Sequence, residues 1–191
     1  MTRIGPRWLV LSICVLAFAA AAAVSFLAFE RLPHLEDEVA YLFQAETVAL
    51  GKLTVPSPNH PDAFWTPFVL DYQGRRFGKY LPGWPSVLAL GVLGGAPWLV
   101  NPLLAALALY LVYRLGQALY DERSGLLAAG LGLASPLFLV LSGSFLSHLV
   151  SLVCLLLFSL WFVWTAWGRS GWYAVGAGLA LGMAFLTRSL T

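Results

Sequence analysis

Pro85-Ser86-Val87-Leu88-Ala89-Leu90-Gly91-Val92-Leu93-Gly94 is the stretch on which the architecture turns. It carries no charge, yet Ser86 to Leu93 supplies less than half of the ~20 apolar residues a helix needs to cross a ~30 Å hydrocarbon core. Read as a span, it would invert every helix after it and export Arg114, Arg123 and Arg169. Read as a short juxtamembrane or re-entrant helix, it leaves those arginines in cytoplasmic turns with Arg3 and Arg7. Positive charge in short loops sets orientation most strongly. The second reading therefore holds, with five spans and the N-terminus in the cytoplasm.

Composition agrees with a membrane environment. The 191 residues are 60% hydrophobic and 10% charged, where a soluble domain is about 25% charged. A chain this short cannot bury so much apolar surface inside itself, so lipid must cover the rest. The net charge of +2 is too small and scattered for a nucleic-acid footprint. Cys14 and Cys154 sit inside apolar runs and read as buried thiols rather than a disulfide. Thr2 and a C-terminus without cysteine exclude myristoylation and prenylation.

The whole chain, 1–191, reads as one all-α polytopic membrane module. The first span is Trp8 to Phe29. A cleaved signal peptide is the alternative, but its apolar core would exceed the usual ~7–15 residues. The second span is Trp98 to Tyr113, extended by a snorkelling Arg114. Tyr120 to Gly125 reads as a polar turn, and Leu126 to Leu141 as the third span with Pro136 tolerated inside it. Ser142 to His148 is a polar gap. Leu149 to Trp167 is the fourth span, ending in an aromatic belt of Trp161, Trp164 and Trp167. Gly168 to Gly171 turns into a fifth, Trp172 to Leu186.

The exported first loop, 30–96, holds seven of the nine acids. Glu36, Asp37 and Glu38 stand at the start of an amphipathic helix over Asp37 to Leu50, where negative charge suits the helix dipole. Val39, Leu42, Phe43, Glu46, Ala49 and Leu50 recur at helical spacing, and Gly51 stops the helix. Too short to span, this helix is expected along the interface. After an irregular loop at Pro56 to Pro61, Phe68 to Tyr72, Gln73-Gly74 and Arg75 to Tyr80 read as a β-hairpin.

On this topology the acids, the hairpin, the Ser142–His148 gap and Arg188 share one face. Asp37 or Glu38 there can take a proton from an acceptor hydroxyl. Arg75, Arg76, Lys79 or Arg188 can steady a phosphate, and apolar helices can hold a lipid tail. That set suits group transfer from a lipid-phosphate carrier. The plainer reading of each residue is a helix-capping acid or a solvated hairpin arginine.

Asp37-Glu38-Val39-Ala40-Tyr41, placed just after the first span, resembles the Asp-Glu-x-x-Tyr signature of the GT-C membrane glycosyltransferases. These include the protein O-mannosyltransferases and the lipid A aminoarabinose transferases. The resemblance covers the chain as the N-terminal part of such an enzyme, and implies that a chain ending with Thr187 to Thr191 at the outer end of a span is a fragment. It implies an inner-membrane enzyme that moves a sugar, with inversion, from a polyprenyl-phosphate carrier to a lipid, glycan or protein hydroxyl on the outer face. It places Asp37 at the reaction centre with Glu38 and Tyr41 beside it. Relatives carry His-Pro-Pro-Leu or Lys-Pro-Pro-Leu at the second juxtamembrane helix. Here the stretch is Gly78-Lys79-Tyr80-Leu81-Pro82-Gly83-Trp84-Pro85, making Lys79 an approximate counterpart and Tyr80 a further substrate-binding candidate. Where many relatives have an acid near the fourth span, this chain has Ser147-His148, and His148 becomes a candidate for the donor phosphate. Some relatives use a divalent metal. His34, Asp37, Glu38, His60 and His148 share the right face, but their spacing matches no ligand motif such as His-x-x-x-His. The alternative is a non-catalytic membrane protein, a lipid-binding partner subunit or a transporter fragment. Charge-free span centres count against ion coupling.

Overall fold

The computed structural model describes residues 6–188. Arg3 and the Ser189–Thr191 end, on which parts of the topology and truncation expectations rest, lie outside the described residues. Helix α1, Pro6–Ala23, begins with proline, whose missing N–H costs nothing in a first turn. It widens into a π-helical turn at Val24–Ala28. Helix α2, Glu36–Ala49, follows. Next come strands β1 (Val55–Pro56), β2 (Val69–Tyr72) and β3 (Arg75–Gly78), then α3 at Gly83–Leu93. The bundle is completed by α4 (Val100–Leu119), α5 (Glu122–Leu133), α6 (Pro136–Gly143), α7 (His148–Ala166) and α8 (Trp172–Thr187).

Among the described residues, three helical stretches are long and apolar enough to cross a membrane: Arg7–Ala28, Pro97–Leu119 and His148–Ala166. The expected third span, Leu126 to Leu141, is broken into α5 and α6, bent by 65°. Proline lacks the amide hydrogen and clashes with the preceding turn. Pro136 accordingly starts a new helix, and the Ser135 hydroxyl accepts its first free amide, from Phe138, at 3.4 Å. Counted as one broken span, the bent pair would bring the crossings to four. Helix α8 is apolar but only 16 residues long, so five full spans are not established. The polar turn expected over Tyr120 to Gly125 is also shorter. Asp121 already caps α5, accepting the Ser124 amide at 2.7 Å.

Small residues let the helices approach. Ala21 of α1 meets Ala105 and Ala108 of α4 in one buried cluster with Leu111, Leu149 and Val153. At the α4–α5 crossing a Cβ on Gly116 would fall 2.7 Å from the Gly125 Cα. Helices α4 and α7 start at the same end of the bundle, where Asn101 reaches the segment just before His148. At their other end Arg114 and Arg169 both lie over the Trp164 ring. Of the expected aromatic belt, Trp161 packs on Gly176 and Trp164 on Tyr173, leaving Trp167 exposed.

Helices α2 and α3 sit across the first of these ends. Helix α3 starts at Gly83 rather than Ser86 and buries Trp84, Leu88 and Ala89 in a core shared with Tyr41, Ala45, Phe145, Val150 and Ala184. Helix α2 does not bury the stripe its spacing suggested. Leu42 and Ala49 touch the core, but Val39, Glu46 and Leu50 are exposed, and Glu38, Tyr41, Gln44, Ala45 and Thr47 are buried instead. The physical reason is hydrogen bonding: Glu38, Tyr41 and Gln44 each find a protein partner on the inner side. The sheet is antiparallel with order β1-β3-β2. Its hairpin is the expected one, and a further strand, β1, runs from Val55 to Pro56, the first residue of the loop read as irregular, with Val55 opposite Arg76 and Pro56 opposite Arg75. Proline is tolerated there because β1 is an edge strand.

Candidate active site

The short link Ser144–Ser147, between α6 and α7, is fastened from three helices. Asn101 of α4 donates to the Ser144 and Leu146 carbonyls at 2.6 and 2.9 Å. The Trp84 indole N–H of α3 donates to the Phe145 carbonyl at 2.8 Å. Glu38 of α2 accepts the Phe145 amide at 3.1 Å. Buried backbone groups must be paired, and here side chains from distant positions do the pairing. The link's far end carries Ser147 and His148, and it is held against the first turn of α2, which carries Asp37.

Between them lies an open cavity of about 270 Å³. Asp37 and Tyr41 line it from α2, Lys79 and Tyr80 from the chain after β3, Ser147 and His148 from the link and α7, and Thr187 and Arg188 from the end of α8. Tyr80 donates its hydroxyl to Asp37 Oδ1, and its ring packs on Tyr41 with centroids 4.5 Å apart. Burial, then the hydrogen bond to the Asp37 carboxylate and its charge, push the Tyr80 phenol well above its ordinary range. It therefore remains a donor. Burial also raises the Tyr41 hydroxyl, partly offset by its contact with Ser147 at 3.4 Å. Lys79 Nζ stands 3.4 Å from the Phe68 ring centroid and 4.9 Å from that of Tyr80, a cation–π clamp that fixes the ammonium. Arg188 Nη1 is 2.9 Å from His148 Nε2. Guanidinium can only donate, so Nε2 accepts and the ring proton belongs on Nδ1. One carboxylate thus faces two fixed cations and an imidazole.

The structure separates the other expected site residues from this cavity. Glu38 is 2% exposed. Besides the Phe145 amide, its carboxylate accepts the His34 and Leu35 amides at 2.8 and 3.4 Å, a cap on the open start of α2. Its full set of backbone partners makes it a clip between α2 and the link. Arg76 turns inward on β3, where it donates to the Phe64 carbonyl, pairs with Asp71 at 3.6 Å and lies over Phe43. Successive strand residues face opposite ways, which leaves Arg75 exposed on the other side. Neither arginine lines the cavity. Ser147 and Thr187 do, and the sequence reading assigned neither a role. Hydroxyls at helix ends are too common to stand out.

A divalent ion finds no ready site. Among the described residues no three His, Cys, Asp or Glu side chains converge. Of those types the cavity offers Asp37 and His148, while His34 bonds the Phe29 carbonyl and His60 precedes a 3₁₀ turn at Pro61–Phe64.

Glu38→Ala would leave the buried Phe145 amide unpaired. A hydrogen bond to a charged group contributes about 1.5–3 kcal/mol. A fall in thermal unfolding temperature in detergent is the expected result, and an unchanged midpoint would deny Glu38 its clip role.

The class follows from the family match over α3 to α8, which makes this a multi-pass membrane glycosyltransferase of the GT-C type. The chain itself is a member of the dolichyl-phosphate-mannose-protein mannosyltransferase family, whose pattern matches residues 86–191. That match runs from α3 to the end of the chain. Asp37 lies before it, joined to the matched part through the Glu38–Phe145 and Tyr41–Ser147 contacts. No curated protein and no solved structure gives a significant match.

Proposed function

We propose that this chain carries the catalytic base and the donor-phosphate pocket of a glycosyltransferase that uses a polyprenyl-phosphate sugar. The single observation behind the reading is that Asp37 shares one cavity with Lys79, Arg188 and His148. In the reaction an acceptor hydroxyl gives its proton to the Asp37 carboxylate. Its oxygen bonds to the anomeric carbon as the bond from that carbon to the phosphate oxygen breaks, which inverts the centre. Polyprenyl phosphate leaves with the bonding electrons, and the cations offset the charge gathering on it. Tyr80 orients Asp37 through its hydrogen bond. The outer-face assignment rests on charge: Arg7, Arg114, Arg123 and Arg169 all belong to the end of the bundle away from the cavity, the side that positive residues mark as cytoplasmic.

Donor binding tests the pocket. With a labelled polyprenyl-phosphate sugar and the full chain in detergent, replacing both Lys79 and Arg188 by Gln is expected to weaken binding at least ~10-fold, given about 1 kcal/mol or more for each charge-assisted contact. Arg75→Gln is expected to leave it unchanged. Equal binding by all three forms would take the donor phosphate out of this cavity.

A further inference from the structure

A second, larger hollow lies at the opposite end of the bundle, between α1, α4 and the start of α5. We propose that it seats the phosphate of an anionic phospholipid, with Arg7 and Arg114 as the phosphate-binding side chains. It encloses about 600 Å³. Arg114 follows Asn101 by 13 positions on α4, about 20 Å along the axis at 1.5 Å per residue, so this hollow is separate from the Asp37 cavity.

Charge identifies the occupant. Both arginines line the hollow, and neither has a carboxylate partner among the described residues. Arg114 is aimed by its hydrogen bond to the Tyr110 hydroxyl at 2.8 Å and by the Trp164 ring under its guanidinium. Those contacts occupy one face and one N–H, leaving other donors free for a bidentate oxyanion. The carboxylate lining the hollow, Glu122, accepts the Tyr113 hydroxyl at 3.2 Å. Two guanidiniums against one carboxylate leave one net positive charge, which a singly charged phosphodiester neutralises.

The apolar part of the α1 wall explains why the anion belongs to a lipid. Val10, Leu11 and Cys14 of α1 form it, and Leu11, Val15 and Leu16 continue as exposed apolar side chains along the same helix. In a membrane span such a lane receives an acyl chain. The arginine heads reach the headgroup level while their stems lie along apolar surface.

The test is thermal unfolding of the delipidated full chain in a neutral detergent, titrated with phosphatidylglycerol, phosphatidylcholine or inorganic phosphate. Phosphatidylglycerol is expected to raise the midpoint in a saturable way, phosphatidylcholine much less, and inorganic phosphate not at all at matched concentration. Arg7→Gln is expected to weaken the phosphatidylglycerol response about fivefold, the effect of one arginine near an anionic headgroup. Arg7 sits exposed at the start of α1, so this variant should fold even if Arg114→Gln, which also loses its aromatic contacts, does not. Native mass spectrometry of retained lipid supplies the second readout. An Arg7→Gln protein that keeps the wild-type response, equal responses to the two lipids, or replacement of the lipid by inorganic phosphate would each overturn the proposal.

Discussion

Asp37→Asn is expected to lower sugar transfer by about 10²–10⁴-fold, the usual contribution of a positioned general base, while donor binding changes little. The substitution is nearly isosteric. The amide oxygen still accepts the Tyr80 hydroxyl, so the contact that aligns the side chain survives and basicity is what disappears. Most membrane-protein variants lose activity because they fold poorly, and this one separates chemistry from folding. Transfer and donor binding should both be measured on the protein in proteoliposomes with a polyprenyl-phosphate sugar. Retained binding with lost transfer supports Asp37 as the base. Transfer within tenfold of wild type would remove it from the mechanism. Loss of binding along with transfer would instead assign Asp37 to holding the donor.

The second large effect is on stability, at Trp84. Its side chain is fully buried in α3 among Leu88, Tyr41 and Phe145. Trp84→Ala removes that volume, at a cost of about 3–5 kcal/mol, and also strips the Phe145 carbonyl of its donor. Trp84→Phe keeps most of the packing and loses only the N–H, for which about 1–3 kcal/mol is expected. Thermal unfolding in detergent, run on both, divides packing from hydrogen bonding. The phenylalanine variant is the more informative for function. The Phe145 peptide is held on one side by Trp84 and on the other by Glu38, and the link it belongs to leads directly to Ser147 and His148. Activity in Trp84→Phe should therefore fall by more than its modest loss of stability explains. Wild-type activity there would show that the link keeps its position without the indole.

Wherever one local rule governed, the sequence was legible. The hairpin followed from Gln73-Gly74 between two short runs of strand formers. The start of α2 followed from consecutive acids after a proline, and the shortness of α3 from Pro85 and Gly94. Pro136 marks where a local rule stops deciding. A proline inside an apolar run permits either a kinked span or two helices, and the choice depends on whether a residue like Ser135 can cap the second piece and on what the halves pack against. The exposed stripe of α2 was misassigned for a related reason. Periodicity locates a face, but only partners at Phe145, Ser147 and the Tyr80 carbonyl decide that the face bearing Glu38, Tyr41 and Gln44 turns inward.

Composition and local pattern thus sufficed, without any coordinates, for a helical membrane chain with a short acid-led helix after its first crossing, because hydropathy and helix-start chemistry act within a few residues. The fate of each polar side chain was decided by tertiary structure alone. Asp37 and Glu38 are adjacent in sequence and chemically alike, yet one opens into a cavity with Lys79 and Arg188 while the other is fully engaged by buried backbone amides. Their directions differ by about 100° around the helix axis. Each meets a partner brought from far along the chain, His148 and Arg188 for Asp37 and the Phe145 amide for Glu38, and no reading of neighbouring residues contains that information.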